Sequence, residues 1–173
     1  TNLRLYRCYV ALYRLEYKQE YFDKGMRYIN KQMEITQNRG YRLWDRGNLY
    51  SDAMETALAV ADYEEAIAVG TVPEDEIYIL WQNIGLSYTN DMQYEKGYEA
   101  YRRAVETMGA KDVSVKGYRG MAECLQKMGN YEKAIACCGQ YPVGYSDHLL
   151  FKYEASGEGS RGAGGEEEGA WRG

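Results

Sequence analysis

Proline is nearly absent from this chain: Pro73 and Pro142 are the only two in 173 residues. Long helices can run between them, because nothing else there removes a backbone donor or clashes with the preceding turn. Phenylalanine is equally scarce, with 2 copies against 19 tyrosines. Tyrosine brings aromatic bulk with a polar tip, which suits half-buried helix faces and binding grooves. No run of about 18 apolar residues exists, so no membrane-spanning helix is expected. The N-terminus, Thr1-Asn2-Leu3-Arg4, has neither a methionine nor an apolar signal core. It reads as an excised or processed start with a partner domain upstream.

The residues of metal and phosphate sites are missing too. There is a single histidine, His148, and the 4 cysteines (Cys8, Cys124, Cys137, Cys138) make no Cys-x-x-Cys pair. Without clustered thiolate or imidazole ligands no zinc site is expected. The cysteines read as small core residues in a reducing cytosol. His148 reads as a surface or capping residue. No Gly-x-x-x-x-Gly-Lys-Ser/Thr or Gly-x-Gly-x-x-Gly string is present to hold a phosphate. Glu64-Glu65 and Glu74-Asp75-Glu76 are expected at helix starts, where carboxylates complement the macrodipole, and not as paired catalytic acids. No catalytic residue, metal or cofactor is therefore assigned, and the chain reads as a non-enzyme.

Charge is unevenly spread along the chain. Residues 1–50 carry 10 Lys/Arg and 5 Asp/Glu, whereas the remainder carries 11 and 21. Such asymmetry can steer partners, while the net charge of −5 opposes nonspecific binding to nucleic acid.

What is present is repetition. Phe22-Asp-Lys-Gly25, Tyr63-Glu-Glu-Ala66, Tyr94-Glu-Lys-Gly97 and Tyr131-Glu-Lys-Ala134 all read aromatic, acidic, charged, small, with the aromatics 41, 31 and 37 residues apart. Each string is expected to follow one helix and open another, its acidic residue in the first turn. The small residue admits a neighbouring helix and the aromatic wedges between two antiparallel helices. Ala61-Asp62, Asn90-Asp91 and Met128-Gly129-Asn130 are turn signals ahead of three of them. Trp81, Ile84, Gly85 and Tyr88 share one face of a helix over about 76–90. Gly97, Tyr101, Ala104 and Val105 mark a second over about 93–108. Tyr118, Met121, Ala122 and Leu125, then Tyr131, Ala134 and Cys138, repeat the pattern. Helices are also predicted over 62–70, ended by Gly70, and 131–140, ended by Gly139.

The run Trp81-x-x-Ile84-Gly85-x-x-Tyr88, followed by Tyr94, Gly97, Tyr101 and Ala104, resembles the tetratricopeptide repeat, a signature of about 34 positions. The resemblance is carried mainly by residues 76–141 and extends more loosely over 1–70. Tyr13 stands where a small residue is expected, and Gly109 where the family has a closing proline. The uneven spacing is similar to repeats of bacterial regulators. The resemblance implies an all-α fold: a right-handed superhelical array of about four antiparallel helix pairs. The units fall near 3–36, 41–70, 76–108 and 112–141, and a capping helix at 145–155 (His148, Leu149, Phe151) closes a domain of residues 1–155. Residues 156–173, with 7 glycines and Glu166-Glu167-Glu168, read as a disordered tail.

The resemblance also implies a function. First helices of such arrays line a concave groove that takes a protein or peptide segment. Arg7, Val10, Ala11, Arg14, Tyr17 and Lys18 are expected there from the first unit, and Asn48, Ser51, Asp52 and Glu55 from the second. The third offers Ile79, Gln82, Asn83, Leu86 and Asn90, and the fourth Lys116, Arg119, Glu123 and Lys127. Asn83 stands where peptide-binding members hold a backbone with an asparagine, though a solvent-facing amide fits the alignment equally. Lys116 matches a carboxylate-holding lysine of the chaperone-tail binders, but Gly120 replaces their arginine, with Arg119 beside it. The expected site is thus Asn83, Lys116, Arg119, Arg7, Arg14 and Asn48, taking an acidic segment. The setting is cytoplasmic, without a membrane, and a homo-oligomer is a further option. The second reading is a sensory or oligomerisation domain of a larger transcriptional or signalling regulator. Tyr9, Tyr13, Tyr17 and Tyr21, spaced by four beside Arg7, Arg14 and Lys18, could stack RNA bases. Packing with cation–π contacts is preferred.

Overall fold

The computed structural model describes residues 2–108 and 115–139. They form eight α-helices and a 310 turn at Glu74–Glu76, with no strand among the described residues. The helices are α1 (Asn2–Glu16), α2 (Gln19–Ile35), α3 (Arg39–Asp52), α4 (Thr56–Ala68), α5 (Ile77–Asn90), α6 (Tyr94–Met108), α7 (Val115–Lys127) and α8 (Tyr131–Cys138). They pack as four successive pairs, each laid against the next. The expected closing helix at 145–155 and the tail at 156–173 lie outside the described residues.

A left-handed residue closes each pair. Met54 (φ 60°), Met92 (φ 58°) and Gly129 (φ 78°) follow α3, α5 and α7. The next N–H then reaches back to a carbonyl of the last turn: Glu55 to Tyr50 and Gln93 to Tyr88 at 2.9 Å, Asn130 to Leu125 at 2.8 Å. This Schellman closure satisfies carbonyls that the helix end would orphan. The first pair turns earlier. Tyr17 (φ 51°) is the left-handed residue, and its N–H donates to the Tyr13 carbonyl at 2.7 Å. Tyr9, Tyr13, Tyr17 and Tyr21 therefore do not share one helix, as the spacing had predicted.

Met54 and Met92 are 70% and 73% exposed, so glycine there would lose no packing. Left-handed strain on a side chain costs about 1–2 kcal/mol, partly offset by glycine's larger unfolded entropy of about 0.4–1 kcal/mol. Met54→Gly and Met92→Gly are each expected to raise stability by about 0.5–1 kcal/mol. Urea melts would measure it, and a loss in both variants would refute the strain.

The helix ends correct the repeat register. α4 begins at Thr56, six residues before the predicted start at residue 62. Ala61-Asp62 is therefore helix interior and not a turn, and Glu64-Glu65 lies in the C-terminal half of α4. Packing shows the true alignment. A Cβ on Gly47 would lie 2.7 Å from the Tyr63 ring, and one on Gly85 2.9 Å from the Tyr101 ring. Tyr63 thus corresponds to Tyr101, and not to Tyr94. The small residues that admit the neighbouring helix become Gly25, Ala59, Gly97 and Ala134, spaced 34, 38 and 37 residues apart. The misreading has a physical source, because aromatics two helical turns apart (Tyr94 and Tyr101) lie on one face and offer the same local pattern. The acidic residue does fall in the first turn at Glu95 and Glu132, but α2 starts early and carries Glu20 there in place of Asp23.

Three apolar clusters fill the pairs. The first unit exchanges bulk between helices: Tyr13 takes the small position and Ile29 the aromatic one, and both join Tyr6, Val10 and Leu49 in the first cluster. Leu43, Val60, Tyr63, Leu80 and Ile84 anchor the second, and Tyr101, Met121, Cys124, Leu125 and Cys138 the third. Tyr9 and Tyr13 pack within the first pair, whereas Tyr17 is 71% exposed. Tyr9 stacks on Tyr28 at 5.7 Å and Tyr13 meets Phe22 at 5.6 Å, while Lys24 lies 5.5 Å over Tyr9.

The expectation of core cysteines holds for Cys124, Cys137 and Cys138 but not for Cys8, which is exposed on α1. Burial pushes all three inner thiols above their ordinary range, Cys137 to about 11. A thiol that stays protonated and enclosed is a poor nucleophile. Ellman's reagent at pH 8 is expected to label Cys8 promptly and the other three only after denaturation. Fast labelling of more than one thiol in the native protein would contradict this packing.

Candidate binding cleft

First helices α1 and α3 are tied at the start of the array. The Tyr6 hydroxyl donates to the Asp45 carbonyl at 2.5 Å. Burial pushes that hydroxyl far above its ordinary titration range, with the Asp45 carboxylate adding to the effect. Beside this tie opens a cleft of about 270 Å³ lined by Tyr6, Arg7, Val10, Ala11, Arg14, Asp45 and Asn48.

The cleft mixes cations, an amide and one partly desolvated carboxyl. Arg7 and Arg14 are exposed, and Arg14 Nε donates to Asp52 Oδ2 of α3 at 2.6 Å. Desolvation raises the Asp45 carboxyl above its ordinary value, while Arg42 and Arg7 pull it back. Arg42 Nη1 stands 2.9 Å from Asp45 Oδ2. Asn48 Oδ1 accepts two bonds, from the Tyr63 hydroxyl at 2.8 Å and from Asn83 Nδ2 at 3.2 Å. Its oxygen is thereby engaged by the protein, while the residue itself lines the cleft.

Four of the six residues expected from the sequence therefore lie together. Arg7, Arg14 and Asn48 line the cleft, and Asn83 is joined to it through Asn48. Asn83 is half-buried and bridges α5 to α3 through Asn48. Lys116 and Arg119 are exposed on α7 and do not line this cleft. Val10 and Ala11 also line the cleft as expected, whereas Gln82 is 4% exposed and does not. Sequence reasoning missed Tyr6 and Asp45. Tyr6 bonds to a backbone carbonyl 39 residues away, which leaves no mark in local periodicity. Asn48 and Asn83 are 35 residues apart, close to one repeat, and that spacing was the available signal for their pairing.

Among the described residues no group of three or more His, Cys, Asp and Glu is placed to hold a metal, and no helix is long and apolar enough to cross a membrane. The sequence matches no protein-family model and no curated protein. The fold does have a counterpart. The crystal structure of a protein from Podosopora anserina, described as a kinesin light chain with nearly identical TPR-like repeats, superposes with a TM-score of 0.67. The match covers 90% of this chain and 87% of that one at 15% identity. The chain thus has the fold of TPR-like helical repeats, as the resemblance implied.

Proposed function

We propose that this array is a binding scaffold that takes a segment of a partner protein along its first helices, beginning at the α1–α3 cleft. The observation that carries the reading is the convergence there of Arg7, Arg14 and the amide side chain of Asn48. Guanidinium groups bind carboxylates with charge-assisted bonds, and an amide hydrogen-bonds a peptide backbone. An acidic segment fits that donor set. Asp45 restricts the fit: its half-buried carboxyl repels a second carboxylate placed against it, so the acidic group belongs on the Arg7 and Arg14 side. Asn83 positions Asn48. Lys116 and Arg119 extend the basic character onto α7 for a longer segment.

The test is selection from a displayed library of random peptides, followed by titration of the winners. Enrichment of Asp and Glu is expected. Arg7→Glu is expected to weaken a selected peptide by about tenfold, since it turns an attraction for the acidic group into a like-charge repulsion. Asn83→Ala combined with Lys116→Ala is expected to weaken it as well. Unchanged affinity in both variants would sink the assignment.

A further inference from the structure

A second cleft, of about 300 Å³, opens where α4, α5 and α6 meet. It shares no lining residue with the first and is bounded by second helices α4 and α6, with α5 between them. Its floor is apolar: Ile84 is 1% and Ala100 4% exposed. Trp81 and Tyr88 supply aromatic walls, and Glu64, Glu95 and Glu99 supply three carboxylates at the rim.

Two of the chain's own cations already use these walls. The Arg103 guanidinium lies 4.9 Å from the Trp81 ring centre, and the Lys96 ammonium 5.4 Å from that of Tyr88. Ring faces carry negative quadrupole potential, so a cation over them is attracted, more strongly as water is removed. The rim adds to that field. Glu99 is engaged by Arg102 at 2.6 Å and Arg103 at 3.4 Å. Glu64 and Glu95 are exposed and form no ion pair among the described residues. The lining carries three carboxylates against two cations, Lys96 and Arg103, so an anion is disfavoured, and a purely apolar group would leave Glu64 and Glu95 unused. A long side chain with a methylene stem and a cationic head satisfies both parts, the stem on Ile84 and Ala100 and the head between rings and carboxylates. The planar guanidinium stacks on an indole and bonds a carboxylate in the same pose, which an ammonium does not.

We infer that the α4–α6 cleft receives the arginine side chain of a partner polypeptide, held by Trp81, Tyr88, Glu64 and Glu95. Arg103 is its internal stand-in: it occupies the Trp81 face until an incoming guanidinium displaces it.

The test is an NMR titration of the whole chain with the peptide acetyl-Gly-Gly-Arg-Gly-Gly-amide, following the Trp81 indole N–H, assigned through Trp81→Phe. The same peptide with citrulline or lysine in place of arginine serves as control. The arginine peptide is expected to shift the Trp81 signal saturably and to bind at least about fivefold more tightly than either control. Glu64→Gln with Glu95→Gln, both at exposed positions, is expected to weaken it by about fivefold to tenfold. Arg103→Ala is expected to strengthen it by removing the internal competitor, a change that a merely structural cleft would not give. Equal binding by the citrulline or lysine peptide, an unmoved Trp81 signal, unaltered affinity in the glutamine variant, or weaker binding by Arg103→Ala would each overturn the assignment. None of these variants touches Arg7 or Asn48, so peptides selected at the first cleft should bind them as before. The two clefts therefore fail or stand separately.

Discussion

Tyr101→Ala is expected to destabilise the array by about 3–5 kcal/mol, the usual cost of truncating a large buried aromatic. Tyr101 is 4% exposed and joins three helices. Its ring lies between two glycines: a Cβ on Gly85 of α5 would approach it to 2.9 Å, and one on Gly120 of α7 to 2.5 and 2.6 Å at the two Cε atoms. Neither backbone can close over a missing ring without sliding its whole helix, so the cavity persists. Gly120→Ala tests the same wedge from the other side. The methyl has no room, because the ring that must yield is backed by Gly85. It is expected to cost about 1–3 kcal/mol of overpacking, reduced by up to about 1 kcal/mol of improved helix propensity. The double variant Tyr101→Ala with Gly120→Ala should lose less than the two singles together, since the added methyl fills part of the void. Guanidinium melts of the three variants measure this directly. Strict additivity would mean that the ring is not a wedge between these helices.

Arg46→Met is expected to be comparably severe. Arg46 donates to both oxygens of Asp62, at 2.7 and 2.6 Å, and to Asn30 of α2 at 3.1 Å. One guanidinium thereby ties α2, α3 and α4. The Asp62 side chain is only 6% and that of Arg46 22% exposed. Removing the cation leaves a carboxylate with little water around it, a loss of about 3–5 kcal/mol. Replacing both partners, Arg46→Met with Asp62→Leu, should recover most of that loss, because no charge then remains to be solvated. If the double variant is as unstable as the single one, the pair acts through shape and not through charge. The sequence reading had placed Asp62 in a turn, where its substitution would have mattered little.

That error shows how much of the fold was legible in the chain. α5 and α6 could be read directly, because Trp81, Ile84, Gly85 and Tyr88 mark one helical face and Gly97 and Tyr101 another. α4 could not, because Tyr63-Glu-Glu-Ala66 imitates a helix start while lying in a helix interior. The turns divide the same way. Gly129 announces its left-handed conformation through residue type, whereas Met54 and Met92 adopt it under compulsion from the helices on either side. A side chain that tolerates strain leaves no trace of it in the sequence. At the candidate cleft, Arg7, Arg14 and Asn48 were found through the repeat alignment. Asp45 and Tyr6 were not, since a bond to a distant backbone carbonyl depends on how two helices settle against each other. The second cleft was hidden for a related reason. Arg103 and Glu64 read as ordinary surface charges until packing brings them beside Trp81.

The order in which the helices pack has a kinetic consequence. Each helix rests on its neighbours in the chain, and the next-nearest packings, α1 with α3, α3 with α5 and α5 with α7, reach across a single intervening helix. Few long loops must close before native contacts form, so the entropic barrier is low and folding belongs to the fast microsecond-to-millisecond regime of local topologies. Because the apolar residues fall into three separate clusters along the chain, folding can start at any of them and spread outward by adding one helix pair at a time.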